Sequence, residues 1–185
     1  MRLKFAGISV EISFWFVAVI SLFLTLFPES QAIYCFIFCI LHETGHLLTM
    51  FFTGKKVTKI EFGYFGIKIF TDKNFLPALK EAAVAAGGPV ANFFVASILF
   101  VAGQNDLAVI NLALAFFNLL PVSILDGGHI LSALFPENKC LKGLSIAVTV
   151  LLLFIGTAVL IYSKTNFTIL IVSLYLLTGI VLHKE

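Results

Sequence analysis

The stretch ILHETGHLLTM (residues 40–50) sets two histidines and a glutamate inside an apolar run that extends from 32 to 52. That run has the length of a bilayer-crossing helix, about 20 residues. Ionisable side chains inside such a segment are costly, and they mark function by default. The fold therefore turns on what compensates a membrane helix for carrying His42, Glu43 and His46.

The rest of the chain agrees with a membrane setting. Of its 185 residues, 60% are hydrophobic and 12% are charged, whereas an ordinary soluble domain is about half apolar and about a quarter charged. The apolar residues fall in blocks that predict an all-α polytopic membrane protein with six spans, at 12–27, 31–52, 76–102, 107–120, 144–162 and 167–182. Together they form one domain over residues 1–185. A short alternating segment (3–11) precedes the first span. A longer one, KKVTKIEFGYFGIKIFTDKN (55–74), separates the second from the third and predicts a short membrane-associated β-hairpin. With the N-terminus in the cytoplasm, all of the 12 Lys and Arg residues except Lys164 lie on the inner side, a strong positive-inside bias. Both termini are then cytoplasmic in a multi-pass protein of the cell membrane. Lysines placed beside spans serve topology and argue against a nucleic-acid partner. The first residues lack the small-residue site of a cleavable signal peptide. Cys35, Cys39 and Cys140 make no disulfide framework and are expected to stay reduced. His183 is expected to be solvated, and His129 to be a polar residue near the inner interface.

His42 and His46 are four residues apart and share one helix face. Two imidazoles at this spacing hold a zinc ion, with Glu43 as general base, in the HExxH pattern of metalloproteases. A shared cation would also make the buried carboxylate tolerable. Lys55 marks the inner membrane edge nine residues past His46, so the metal is expected about 10–15 Å below the cytoplasmic surface. Catalytic zinc takes three protein ligands and keeps an open position. Glu29, Glu81 and Asp106 fall at span ends. Asp126 lies in NLLPVSILDGGHI (118–130), where Pro121, Gly127 and Gly128 interrupt an apolar run. Broken backbone at membrane depth is tolerated only where protein or a cavity surrounds it, so Asp126 is the expected third ligand. The bland alternatives are histidines packed between helices or lining a pore, and an aspartate that caps a turn. Cys35 and Cys39 share the histidine stripe, but one straight helix cannot wrap them around the same ion, so they read as packing residues. A membrane transporter or channel using the histidines as an ion or metal relay is the competing function class.

HETGH in the second span and NLLPVSILDGG further on resemble the site-2 protease family of intramembrane zinc metalloproteases. Asn118, Pro121, Asp126 and Gly127 fit that family's N-x-x-P-x-x-x-x-D-G pattern. AGGPVANFF (86–94) resembles its Gly-Pro-x-x-Asn segment through Gly88, Pro89 and Asn92. The resemblance implies one catalytic Zn2+ on His42, His46 and Asp126, Glu43 as catalytic base, and Asn92 and Asn118 orienting substrate. Read from the residues alone, each asparagine is an interhelical hydrogen-bonding group. Members often carry a second proline where Ser123 stands here. The chain looks like a minimal core of the sporulation-type branch, without room for a PDZ domain. The implied reaction is hydrolysis of peptide bonds in or near membrane-spanning segments of protein substrates. A membrane regulator or a second copy of the chain is an open partner. In the family the region matching 57–70 is a hairpin dipping toward the active site. Its edge, with Gly66, Ile67 and Ile69, is expected to pair with unwound substrate by strand addition.

Overall fold

A computed structural model describes residues 2–5, 8–26, 30–63, 66–72, 76–136, 138, 140–164 and 167–182. His183, Lys184 and Glu29 lie outside the described residues. The chain forms two compact units, residues 1–115 and 116–185.

The first unit begins with β1 (Arg2–Phe5) and β2 (Ile8–Ile12), followed by α1 (Phe14–Leu26) and α2 (Ser30–Thr53). Next come β3 (Val57–Gly63), β4 (Gly66–Thr71), α3 (Ala78–Val101) and α4 (Asn105–Asn118), whose last residues enter the second unit. The strands make one sheet in the order β1-β2-β3-β4. β1/β2 and β3/β4 are antiparallel, whereas β2 runs parallel to β3. The expected hairpin is therefore half of a four-stranded sheet. Its parallel pair needs a long crossover, which α1 and α2 provide, so no local turn signal could announce it. Glu11 and Glu61 face each other across β2/β3, an unfavourable like-charge pair. Lys59 resolves it by pairing with both, at 2.8 and 2.7 Å. Phe16 of α1 packs edge-on against Phe62 of β3, with centroids 5.1 Å apart.

Helix α2 stops at Gly54, whose φ of +80° suits glycine. The Lys55 N–H then reaches the Met50 carbonyl at 2.9 Å, closing the last turn in a Schellman arrangement. At this end Lys55 pairs with Glu81 in the first turn of α3. The two helices cross in close contact. A Cβ at Gly45 would meet the Gly87 carbonyl oxygen at 2.3 Å, and one at Gly87 would meet Thr49 Oγ1 at 2.4 Å. Small residues bring backbones together where hydrocarbon offers no hydrophobic drive between helices.

The second unit holds the end of α4, then α5 (Asp126–Leu134), α6 (Cys140–Ser163) and α7 (Thr168–Leu182). Val122, Leu125, Leu176 and Ile180 form its buried core, with Phe117, Leu120, Ile124, Val148, Leu152 and Val172 around them. The 119–125 segment folds tightly against the start of α5. A Cβ on Gly127 would lie 2.1 Å from the Leu119 carbonyl oxygen, and one on Gly128 equally close to that of Val122. The two glycines are thus a packing requirement of this bend. Ser123 N–H donates to Ser145 Oγ of α6 at 2.9 Å, a bond that a proline at 123 could not make.

Among the described residues, three helices are long and apolar enough to cross a membrane: Ile33–Thr53 within α2, α3 and α6. Large apolar side chains stand exposed along them, among them Phe51, Phe94 and Phe154. The other helices at expected spans, α1, α4 and α7, have 13, 14 and 15 residues. At about 1.5 Å per residue each reaches roughly 20 Å, short of the ~30 Å hydrocarbon core. The six expected spans are thus three helices of bilayer length and three shorter apolar ones.

Candidate metal centre

His42 and His46 occupy successive turns of α2 on the face packed against α3, and both are buried. Each ring is fixed from behind through Nδ1. His42 Nδ1 lies 2.7 Å from Asn92 Oδ1, and His46 Nδ1 lies 2.8 Å from the Val84 carbonyl oxygen. A carbonyl only accepts, so both Nδ1 atoms carry the proton. The Gly88 N–H also approaches His46 Nδ1, at 3.3 Å, but the shorter bond to Val84 decides the tautomer. Pro89, inside α3, loosens the helix at this level, since it lacks an N–H and crowds the preceding turn.

The consequence lies on the other side of the rings. With Nδ1 protonated, each Nε2 presents a lone pair, and the two Nε2 atoms are 3.2 Å apart. Two acceptors at that distance repel each other unless a cation is shared between them. Neutral imidazole held by an Nδ1–H bond to a carbonyl is the form in which histidine ligates metal. Gly88 keeps the adjoining space open, since a Cβ there would fall 2.4 Å from His46 Nε2 and 2.5 Å from His42 Nε2. The donor set, its tautomers and this cradle fit a metal ion.

Glu43 follows His42 on α2 and is half-buried. Asn92 is fully buried on α3 and meets His42, so its side chain has a partner besides any substrate. Behind it stands Asn111 of α4, also fully buried, whose Oδ1 accepts from Asn92 Nδ2. Asp126 opens α5 in the second unit and is half-buried, and Asn118 is the last residue of α4. His129 is exposed on α5. Gly66, Ile67 and Ile69 lie on β4, which has a neighbour only on its β3 side in the strand order. Cys35 and Cys39 are half-buried on α2, Cys140 is exposed, and all three are free thiols.

Three features of the site escape sequence reading: the Val84 carbonyl, the open floor at Gly88, and Asn111. A backbone carbonyl leaves no signature in residue type. Asn111 did leave one, as an amide seven residues before Asn118 in an apolar segment.

The model of peptidase family M50 matches residues 104–163. A zinc metalloprotease of Methanocaldococcus jannaschii is 27% identical over 167 residues, covering 80% of this chain and 49% of the relative. Stage IV sporulation protein FB of Bacillus subtilis is 29% identical over 137 residues, covering 67% of this chain and 46% of the relative. The chain thus spans about half the length of these curated relatives. Its fold matches that of a site-2 protease from Methanocaldococcus jannaschii with a TM-score of 0.72 at 24% identity, over 100% of this chain and 95% of the other. HETGH, the Gly-Pro-x-x-Asn segment and the N-x-x-P-x-x-x-x-D-G pattern stand in order along a chain that is similar to peptidase family M50 over residues 104–163 and that shares the fold of a site-2 protease.

Proposed function

We propose that the protein is an intramembrane zinc metalloendopeptidase that hydrolyses peptide bonds in or near membrane-spanning segments of other proteins. One observation carries this reading. Two buried imidazoles, each locked with Nδ1 as donor, aim their Nε2 lone pairs into one small space beside a glycine. Asp126 is assigned as the third ligand on the strength of the aspartate-glycine motif, with one zinc ion per chain. Bound there, zinc would supply the Lewis acidity that brings the pKa of a coordinated water toward about 7 and offsets charge on the scissile carbonyl oxygen. The chain's own residues do the rest. Asn92 and Val84 hold the rings in their ligating tautomer. Glu43 takes the proton of the attacking water and returns it to the leaving nitrogen. Asn118, and any spare capacity of Asn92, orients the substrate.

A helical substrate hides its peptide groups in its own hydrogen bonds, so it must unwind to be cut. The edge position of β4 supports strand addition, in which the unwound segment pairs with the backbone around Gly66, Ile67 and Ile69. The lysine distribution supports cytoplasmic termini and an active site toward the cytoplasmic side. All six apolar helices then cross the bilayer, the short ones with local thinning.

The test is Glu43→Gln in the purified, membrane-reconstituted protein. Zinc content is expected to stay at one per chain while cleavage of a membrane peptide falls by at least about 100-fold, the usual weight of a general base. Cleavage at the original rate would refute the assignment.

A further inference from the structure

We infer that Asn111 is a positioning residue of the metal centre, acting on His42 through Asn92. The inference rests on the reading of His42 as a ligand. The three side chains form a directed hydrogen-bond relay, from His42 Nδ1–H to Asn92 Oδ1 and from Asn92 Nδ2–H to Asn111 Oδ1. An amide offers an acceptor at one end and donors at the other, and on its own can turn over to exchange them. Asn111 biases that choice: with its oxygen toward Asn92, as the structure has it, only the NH2 end of Asn92 can donate to it, and the oxygen of Asn92 then faces His42. That oxygen in turn requires the proton on Nδ1 and leaves the Nε2 lone pair for metal. Were Asn92 turned over, its NH2 would face Nδ1 and move the ring proton to Nε2, where it blocks ligation.

Packing alone does not account for this amide. Asn111 is fully buried, and among the described residues its Nδ2 meets no acceptor. A buried donor left unmade is destabilising, and leucine would fill similar space without it. The residue keeps an amide at a cost in stability, and the oxygen end of that amide is what the relay uses. Asn111 touches neither ring and is not a ligand. It sets which end of Asn92 does.

The experiment measures zinc affinity of the full chain in detergent micelles by competition with a chromophoric chelator. Asn111→Leu, which removes the acceptor, is expected to weaken zinc binding by about 10- to 100-fold, the usual effect of losing an outer partner of a ligand. Asn111→Asp, which retains an acceptor oxygen and has no NH2 to turn inward, is expected to bind zinc close to the unaltered level. In an Asn92→Ala background the leucine substitution should cost nothing further, because the relay is already cut. Nitrogen-15 spectra of the metal-free protein should show His42 as the Nδ1–H tautomer, and as a mixture in Asn111→Leu. If the leucine variant does not fold, Asn111→Ser is read the same way, since its hydroxyl is too short to reach Asn92.

Unchanged zinc affinity and tautomer in the folded Asn111→Leu protein would overturn the inference. So would an equal added loss in the Asn92→Ala background, which a merely structural role produces. His42→Ala tells the two readings apart. Zinc retained by that variant overturns the ligand assignment and this inference with it. Zinc lost there, with Asn111→Leu unaffected, overturns this inference alone.

Discussion

At the scale of single residues, much of the centre depends on atoms that are not there. Gly88 has no side chain, and both ring nitrogens use the space a methyl would take. Gly88→Ala should therefore lower zinc affinity by more than about tenfold, in the range for a disturbed ligand environment, while helical content by circular dichroism stays the same. Unaltered affinity would mean that the ion sits elsewhere. His42, Glu43, His46 and Asp126 were legible from the sequence as candidates, because HExxH and the aspartate-glycine pattern are spacings of residue types. The Val84 carbonyl and the Gly88 floor were not, because their contribution lies in backbone position. Ser123 is a different case. It stands where the resembled family often has a second proline, and its N–H donates to Ser145 Oγ. Ser145→Ala leaves that amide without its partner and should destabilise the second unit by about 1–2 kcal/mol. A shift of the denaturation midpoint in detergent reads it.

At the scale of elements, the α2–α3 crossing decides whether the histidines meet Asn92 and Val84 at all. Gly87→Ala forces a methyl onto Thr49 and the Gly45 carbonyl. The expected cost is about 1–3 kcal/mol, as for other overpacked contacts, with zinc affinity falling alongside as the helices part. Helix positions followed from hydropathy to within a few residues, because long apolar runs leave little choice. The sheet did not, because the partner of β2 lies beyond two helices and strand register has no local marker. Lys59 shows what that pairing needs. Hydrogen bonds to Glu11 first, and then to Glu61, raise its pKa above the ordinary lysine value of 10.5. A raised folded-state pKa means that this stabilisation is complete below about pH 10 and is lost as pH climbs through the raised value. Lys59→Met should therefore speed amide exchange in β2 and β3 by a constant factor between about pH 7 and 9, and the gap to the unaltered protein should narrow in stronger alkali.

At the scale of the whole molecule, the predicted orientation has a native reporter. Cys140 is the exposed thiol at the start of α6, between Lys139 and Lys142, whereas Cys35 and Cys39 are half-buried in α2. A membrane-impermeant maleimide should label Cys140 in inside-out vesicles and not in intact cells; the opposite pattern would invert the topology. The sheet bears on orientation too. β2 leads directly into α1, and α2 runs out through Gly54 into β3, so parallel pairing of β2 with β3 holds the start of α1 and the end of α2 at one end of the pair. Translation makes β1 and β2 first, and their partner appears only after some forty further residues, most of them greasy. In the proposed topology the leading strands wait at the membrane surface while α1 and α2 enter as a loop from the same side. Pairing can then act as a latch that closes only when both helices have gone in, so a chain that threads either one the wrong way never completes its sheet.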